Sequence, residues 1–347
     1  MKLTSVLSLL VAVASAVPTP TIDEAEHVHI EKRATISEAA TLGYASTNGG
    51  TTGGAGGTVT TVSTLPQFTA AVNEKDATPR IVVVKGIISG SANIRIGSNK
   101  SVIGLPGAGT CLKMDYSFPA LMCLGFDGIG LYARRQKNII LRNIISRNVL
   151  GSVGDGFRID ETTNVWVDHC EFYSKLIADK DYYDGLVDLS HAADFVTISY
   201  TYFHDHWKTS LVGHSENNGA KDSGHLRVTY AHNYWANCGS RGPSLRFGTG
   251  HIYNSYYLNM NSAINTRQNA QVLIQSNAFK NVTVPITTQD SDIVGYANAF
   301  DNDLGGAPNT APVGKLTASS PPYAYSLLGS SKVAATVPGQ AGARLTF

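Results

Sequence analysis

Six short runs limit what this chain can fold into more than any other feature: "NIILRNII", "VWVDHCEF", "VTISYTYF", "VTYAHNYW", "TGHIYNSY" and "VLIQSNAF". Each reads as a strand, then a small polar residue, then an aromatic or aliphatic residue two places on. Their sixth positions are Asn143, Cys170, Thr201, Asn233, Asn254 and Asn277, separated by 27, 31, 32, 21 and 23 residues. A propeller or tandem array keeps a fixed period, and a β-sandwich repeats its strands every 8–12 residues or so. Irregular intervals, each holding three strand-like runs, predict a parallel β-helix: loops of any length leave at the turns while strands stack coil upon coil. In that fold the small polar residues stack along the axis and inward aliphatics fill the core.

The rest of the chain fits around this solenoid. Lys2 leads the apolar run "VLSLLVAVA", which closes on Ala14-Ser15-Ala16, a signal-peptide pattern. It falls short of the roughly 20 apolar residues of a membrane span. An acidic stretch then ends at Lys32-Arg33, so residues 17–33 read as a pro-segment and residues 34–347 as one secreted domain. The first 33 residues hold three basic and four acidic groups, so the formal charge of +1 becomes +2 without them. That charge is too small to argue for nucleic-acid or membrane binding; neither partner is expected, nor is an oligomer: the chain reads as a monomer. Cys111, Cys123, Cys170 and Cys238 allow two disulfides in three pairings in an oxidising compartment. Asn99 and Asn281 lie in glycosylation sequons. One helix is expected at "TLPQFTAAVNE", with Thr64 as N-cap and Pro66 in the first turn. The preceding "NGGTTGGAGGTVTTV" lacks the Lys-Ser/Thr of a phosphate loop and reads as a flexible lead; the tail from Leu304 reads as irregular loops along the solenoid.

Four clusters carry unusual polar residues. They are Asp155, Arg158, Asp160, Asp168 and His169; then Asp181, Asp184 and Asp188; then His204, Asp205, His206 and Lys208; and last Arg241 and Arg246 in "NCGSRGPSLRFGTGH". Asp184 and Asp188 are an even number apart on a strand-like run and so face one side. Aligned carboxylates with a third nearby suit Ca²⁺, which takes six to eight oxygens in loose geometry. His169, Asp168, His204 and His206 read as packing and turn residues. No G-x-S-x-G elbow and no Cys/His pair offers a nucleophile. Lys208 and Arg241 follow successive strands at similar offsets, one coil after the aspartates. Stacking therefore puts cations and carboxylates on one flank, a groove for an anionic polymer.

At these residues the chain resembles a known family. "NVWVDHCEF", "DGLVDLSHAADFVTISYTYFHDHWKTSLVGHS" and "SRGPSLRFGTGHIYNSYY" are similar to extracellular pectate lyases, most closely the fungal ones, over about Thr58 to Gly305. The resemblance implies a right-handed, single-stranded parallel β-helix that cleaves polygalacturonate by Ca²⁺-assisted β-elimination. By motif it implies Arg241 as catalytic base, Lys208 and Arg246 as substrate-binding cations, and Asp155, Asp184 and Asp188 as calcium ligands. Many bacterial relatives carry a further aspartate where this chain has Val153, which implies a weaker metal site or one completed by substrate. An arginine base, with an ordinary pKa above about 12, implies an alkaline activity optimum. Three rivals differ in chemistry. A pectin lyase eliminates from methylated substrate without calcium. A hydrolase needs an acid–base carboxylate pair and leaves the arginines without a task. A non-catalytic wall-binding protein would bind without turnover.

Overall fold

The computed structural model describes residues 34–105 and 124–347. The expected signal and pro-segments, together with Cys111 and Cys123, lie outside the described residues. Strand pairs parallel strand throughout the named ladders, in two sheets. The first is ten-stranded and runs from Thr58–Val62 to Tyr296–Phe300. The second is creased lengthwise by long strands that bend across both of its halves. Gly125–Arg134 pairs with Ile145–Arg147 through its start and with Phe157–Asp160 through its end. Tyr256–Arg267 likewise pairs with Tyr234–Ser240 and then with Ser244–Arg246. Each coil thus has three parallel faces, as a β-helix requires.

The inward residues follow from alternation. In Val165–Val167 and its neighbours every second side chain enters one continuous core, which holds Ile139, Leu141, Val196, Ile198 and Val228. A column of rings runs through it: Phe172, Phe203, Trp235, Tyr257 and Phe279, with centroids 5.7, 4.2, 5.8 and 4.5 Å apart. Each ring is the register partner of the next.

The register corrects one expectation. Arg142, Asp168, Ser199, Ala231, Tyr253 and Gln275 are the aligned strand ends, at intervals of 26, 31, 32, 22 and 22 residues. The next residue in each coil (Asn143, His169, Tyr200, His232, Asn254, Ser276) turns the chain with φ between 47° and 58°. Asn143 and Asn254 are therefore turn residues, one place ahead of Cys170, Thr201, Asn233 and Asn277. Asparagine suits both places: it tolerates the left-handed turn, and as the following residue its amide bonds the coils. Asn233 Oδ1 accepts from Thr201 N (2.8 Å) while its Nδ2 donates to Ile198 O (2.9 Å). Asn277 repeats this with Ser255 N (2.8 Å) and Ile252 O (3.2 Å).

Asn143 and Asn254 instead hold the tail, which is more ordered than expected. Helix Ser330–Gln340 packs Val333 and Val337 against Tyr256 and Ala278. On either side of it the backbone exchanges hydrogen bonds with Asn254 (Leu328 N, 3.0 Å; Ser326 O, 2.8 Å) and Asn143 (Leu345 N, 2.9 Å; Leu345 O, 3.2 Å). The glycine-rich lead is also fixed rather than flexible. Asn138 Oδ1 accepts from Thr52 N and Gly53 N, each at 2.7 Å, and a Cβ on Gly54 would overlap the Arg80 carbonyl oxygen. The glycines there allow close approach to the first coils.

Helix Leu65–Ala71 forms as its signals predict, Thr64 Oγ1 accepting from Gln67 N at 3.4 Å, and it sets Phe68 on Phe126 at 4.6 Å. Cys170 and Cys238 are buried free thiols, so two disulfides do not form. Each sulfur faces main-chain oxygens in the core, Cys170 Sγ lying 3.4 Å from Leu141 O and Cys238 Sγ 3.3 Å from Ala236 O. Asn281 is exposed, while Asn99 has both amide ends engaged, with Ala77 O (2.8 Å) and Asn138 Nδ2 (2.9 Å).

Candidate active site

The site lies on the face built from Phe157–Asp160, Val187–Ser190, Leu211–Val212 and Ser244–Arg246. Val187 and Leu189 are fully buried, so alternation turns Asp188 outward. There its Oδ1 accepts from Leu211 N at 2.9 Å, and its cross-strand partner is Arg158. Asp155 stands just ahead of Phe157 in a Gly-Asp-Gly turn, where Gly185 N donates to its Oδ1 at 3.0 Å. A Cβ at Gly156 would lie 2.6 Å from Leu186 O, so the turn needs glycine to sit this close to the next coil. Asp184 precedes the strand rather than belonging to it. The alternation argument therefore holds for Asp188 and not for Asp184, which the loop delivers.

Arg241 lies between Tyr234–Ser240 and Ser244–Arg246, held at φ 62° with its carbonyl accepting from Ser210 N at 2.8 Å. Among the described residues its guanidinium has no hydrogen-bond or ion-pair partner. It faces a cleft of about 190 Å³ whose walls also include Asp155, Asp184, Asp188, Arg158 and His214. Four of the six expected site residues thus share one cleft. Lys208 stands beside it, with Nζ 2.9 Å from Asp181 Oδ1 and 3.4 Å from Asp184 Oδ1. Arg246 lies outside the lining and is largely buried, donating to Gly213 O at 2.8 Å; its Nε has no hydrogen-bond partner among the described residues and stands 3.9 Å from Glu216.

Burial, Asp188 and Asp184 together push the Asp155 carboxyl well above the usual carboxylate range. Burial raises Asp188 to about 7, with Arg241 pulling the other way. Buried carboxylates that repel one another fit a divalent cation, whose charge would relieve both effects. Among the described residues no three His, Cys, Asp or Glu side chains close round an ion by themselves. The aspartates would therefore supply part of an oxygen shell, completed by water and by substrate carboxylates, as the loose coordination of calcium permits.

The histidines do structural work. His169 Nδ1 meets Asp168 at 2.8 Å and its ring stacks on Tyr200 at 4.6 Å. His204 pairs with Asp205 (2.8 Å) and Glu171 (3.2 Å), and buried His206 meets Ser174 Oγ at 2.6 Å. Sequence reasoning placed Arg158 in a cluster without giving it a task, although its alternation with Ile159 marks it as outward. It also missed His214, whose ring stacks on His191 at 4.1 Å, and buried Arg267, the register partner of Arg246. Burial and its neighbour Arg246 lower the Arg267 guanidinium to about 10.

A family model described as pectate lyase matches residues 10–345. Among curated proteins, a probable pectate lyase A of Neosartorya fischeri is 51% identical over 97% of this chain and 97% of its own. Pectate lyase A of Aspergillus niger is 48% identical over 98% and 96%. Among solved structures, a Bacillus pectate lyase in complex with trigalacturonate superposes with a TM-score of 0.76 at 32% identity, covering 87% of this chain and 98% of that one.

Proposed function

The chain belongs to the pectate lyase family, and we propose that it cleaves polygalacturonate by calcium-assisted β-elimination with Arg241 as the base. It is a polysaccharide lyase. One observation carries it: a guanidinium unpaired among the described residues shares a single small cleft with three carboxylates that repel one another.

Asp155, Asp184 and Asp188 would hold calcium, which when bound neutralises a substrate carboxylate and makes the proton on the adjoining carbon more acidic. Arg241 takes that C5 proton at a guanidine nitrogen. The electron pair left behind forms the C4–C5 double bond, and the glycosidic oxygen departs from C4 with the bonding pair and takes a proton from water. Lys208 moves from Asp181 and Asp184 toward substrate carboxylates, adding fixed positive charge through charge-assisted hydrogen bonds. Arg246, held by Gly213 O, supplies its charge from the strand beside the cleft. Rate rises from neutral toward alkaline pH.

A mature start at Ala34 is part of this reading; the Ala34 N–H donates to Thr346 O at 3.2 Å. Secretion and a monomeric state belong to the same reading; among the described residues no helix is long and apolar enough to cross a membrane. The test is an elimination assay on polygalacturonate with calcium and with chelator. The unsaturated product should form with calcium and vanish with chelator; product only from highly methylated polymer, indifferent to chelator, would establish the pectin lyase alternative instead.

A further inference from the structure

On the outer face of the ten-stranded sheet, Thr229, His251 and Tyr253 are almost fully buried. The tail covers them. Tyr323 and Tyr325 set their rings 5.8 and 4.6 Å from His251, and Tyr325 lies 5.4 Å from Tyr253. Two histidines on neighbouring coils meet this strap, and their partners dictate where each ring carries its proton.

His232 turns the chain after Arg227–Ala231. Asn254 Oδ1 accepts from Leu328 N at 3.0 Å, so its Nδ2 is the donor, to Ser326 O at 2.8 Å and to His232 Nε2 at 3.2 Å. Nε2 is therefore an acceptor. The ring proton sits on Nδ1, which is buried without a hydrogen-bond partner among the described residues. A second proton, on Nε2, would face the Asn254 amide donor to donor. Turning that amide over relieves the contact only by setting its oxygen against Ser326 O and its nitrogen against Leu328 N. Protonation of His232 is thus coupled to both bonds that hold the strap at Ser326 and Leu328.

His251 repeats the arrangement one coil on. Gln275 Oε1 accepts from its Nε2 at 3.1 Å, which leaves Nδ1 to accept from Tyr323 Oη at 2.9 Å. Tyr323 Oη in turn accepts from the Thr229 hydroxyl at 2.7 Å, and Thr229 Oγ1 accepts from Tyr44 N at 3.1 Å. A second ring proton breaks the direction of this chain. The titratable groups facing His251 are the phenols of Tyr253, Tyr323 and Tyr325, which carry no charge in acid. Those facing His232 are Tyr200 and Tyr253, with His169 and Asp168 beyond them. Asp168 is already paired with Arg142 and His169, each at 2.8 Å. Burial accordingly lowers both rings to about 4.

We propose that neutral His232 and His251 latch the strap Tyr323–Leu328 onto the solenoid, and that acid frees the strap while the coils beneath it stay folded. The core under the sheet is apolar, so protonation strikes the strap's polar bonds first. The latch is independent of the chemistry in the cleft.

Hydrogen–deuterium exchange read by mass spectrometry, corrected for the intrinsic pH dependence of exchange, tests this at pH 7 and pH 4.5. Peptides spanning Tyr323–Leu328 are compared with peptides from core strand Thr163–Asp168. In wild type the protection of the strap should fall by at least about tenfold while that of the core strand holds. The double variant His232→Gln with His251→Gln, neutral at both pH values, should keep its strap protection constant within about twofold. Each single variant should retain part of the fall, which keeps the test alive should the double variant fail to fold. Strap protection that survives pH 4.5 in wild type, or falls in step with the core strand, overturns the proposal, and so does a full wild-type fall in any of the three variants.

Discussion

At the scale of single residues, the site turns on what each side chain is denied. Among the described residues the Arg241 guanidinium has no hydrogen-bond or ion-pair partner, and Asp155 and Asp188 are denied full solvation and kept beside each other. The sign of the pH effect follows for Asp188, whose folded pKa of about 7 lies above its ordinary value. Between about pH 4 and 7 the folded protein holds a proton that the unfolded chain has lost, so this group makes stability fall as pH rises through that window. Asp188→Asn removes the effect. In calcium-free buffer the unfolding midpoint of the variant should therefore gain on wild type from pH 4.5 to 7.5, and calcium should stabilise wild type more than the variant; midpoint curves that run parallel would refute this. Asp188 and Arg241 were legible in the sequence because carboxylates between buried aliphatics and an arginine next to Gly-Pro stand out. Arg158 was not, because an arginine on an outward strand position looks the same whether it lines a cleft or faces solvent.

Among the elements, the coil is the unit, and its turns carry the information that sequence spacing left ambiguous. Strand, polar turn residue and following aromatic were readable. The one-residue difference between Asn143 or Asn254 and Asn233 or Asn277 was not, since asparagine serves as left-handed turn and as inter-coil clamp alike. The ring column shows what correct register stabilises. Trp235 sits between Phe203 and Tyr257, fully buried. Trp235→Ala should cost about 3–5 kcal/mol of unfolding free energy, measured by denaturant titration. Cys170→Ser, which removes no crosslink, should shift stability relative to wild type equally under reducing and non-reducing conditions; a loss found only under non-reducing conditions would mean Cys170 had been bridged.

For the molecule between Ala34 and Phe347, loops and termini bind the stack into one body. The tail looked irregular in sequence because its contacts are long-range: Tyr323 meets His251 Nδ1 at 2.9 Å, and Gly342 N donates to Tyr200 O at 2.8 Å. Burial holds His206, His232 and His251 neutral, each lowered to about 4. Their contribution is complete above about pH 6.5 and is lost as pH falls toward 4, opposite in sign to Asp188. Calorimetry of Asp188→Asn, where Asp155 is the opposing carboxyl that remains, should show the midpoint dropping from pH 6.5 to 4.5 by more than it does in wild type; a profile identical to wild type would contradict it. In the proposed mechanism the stacked coils set Arg241 against a calcium-bound sugar acid, and Arg241→Lys tests that most directly. With calcium present, the account predicts that this variant binds oligogalacturonate within a few-fold of wild type while forming unsaturated product at least about 100-fold more slowly. Product formation at the wild-type rate would contradict it.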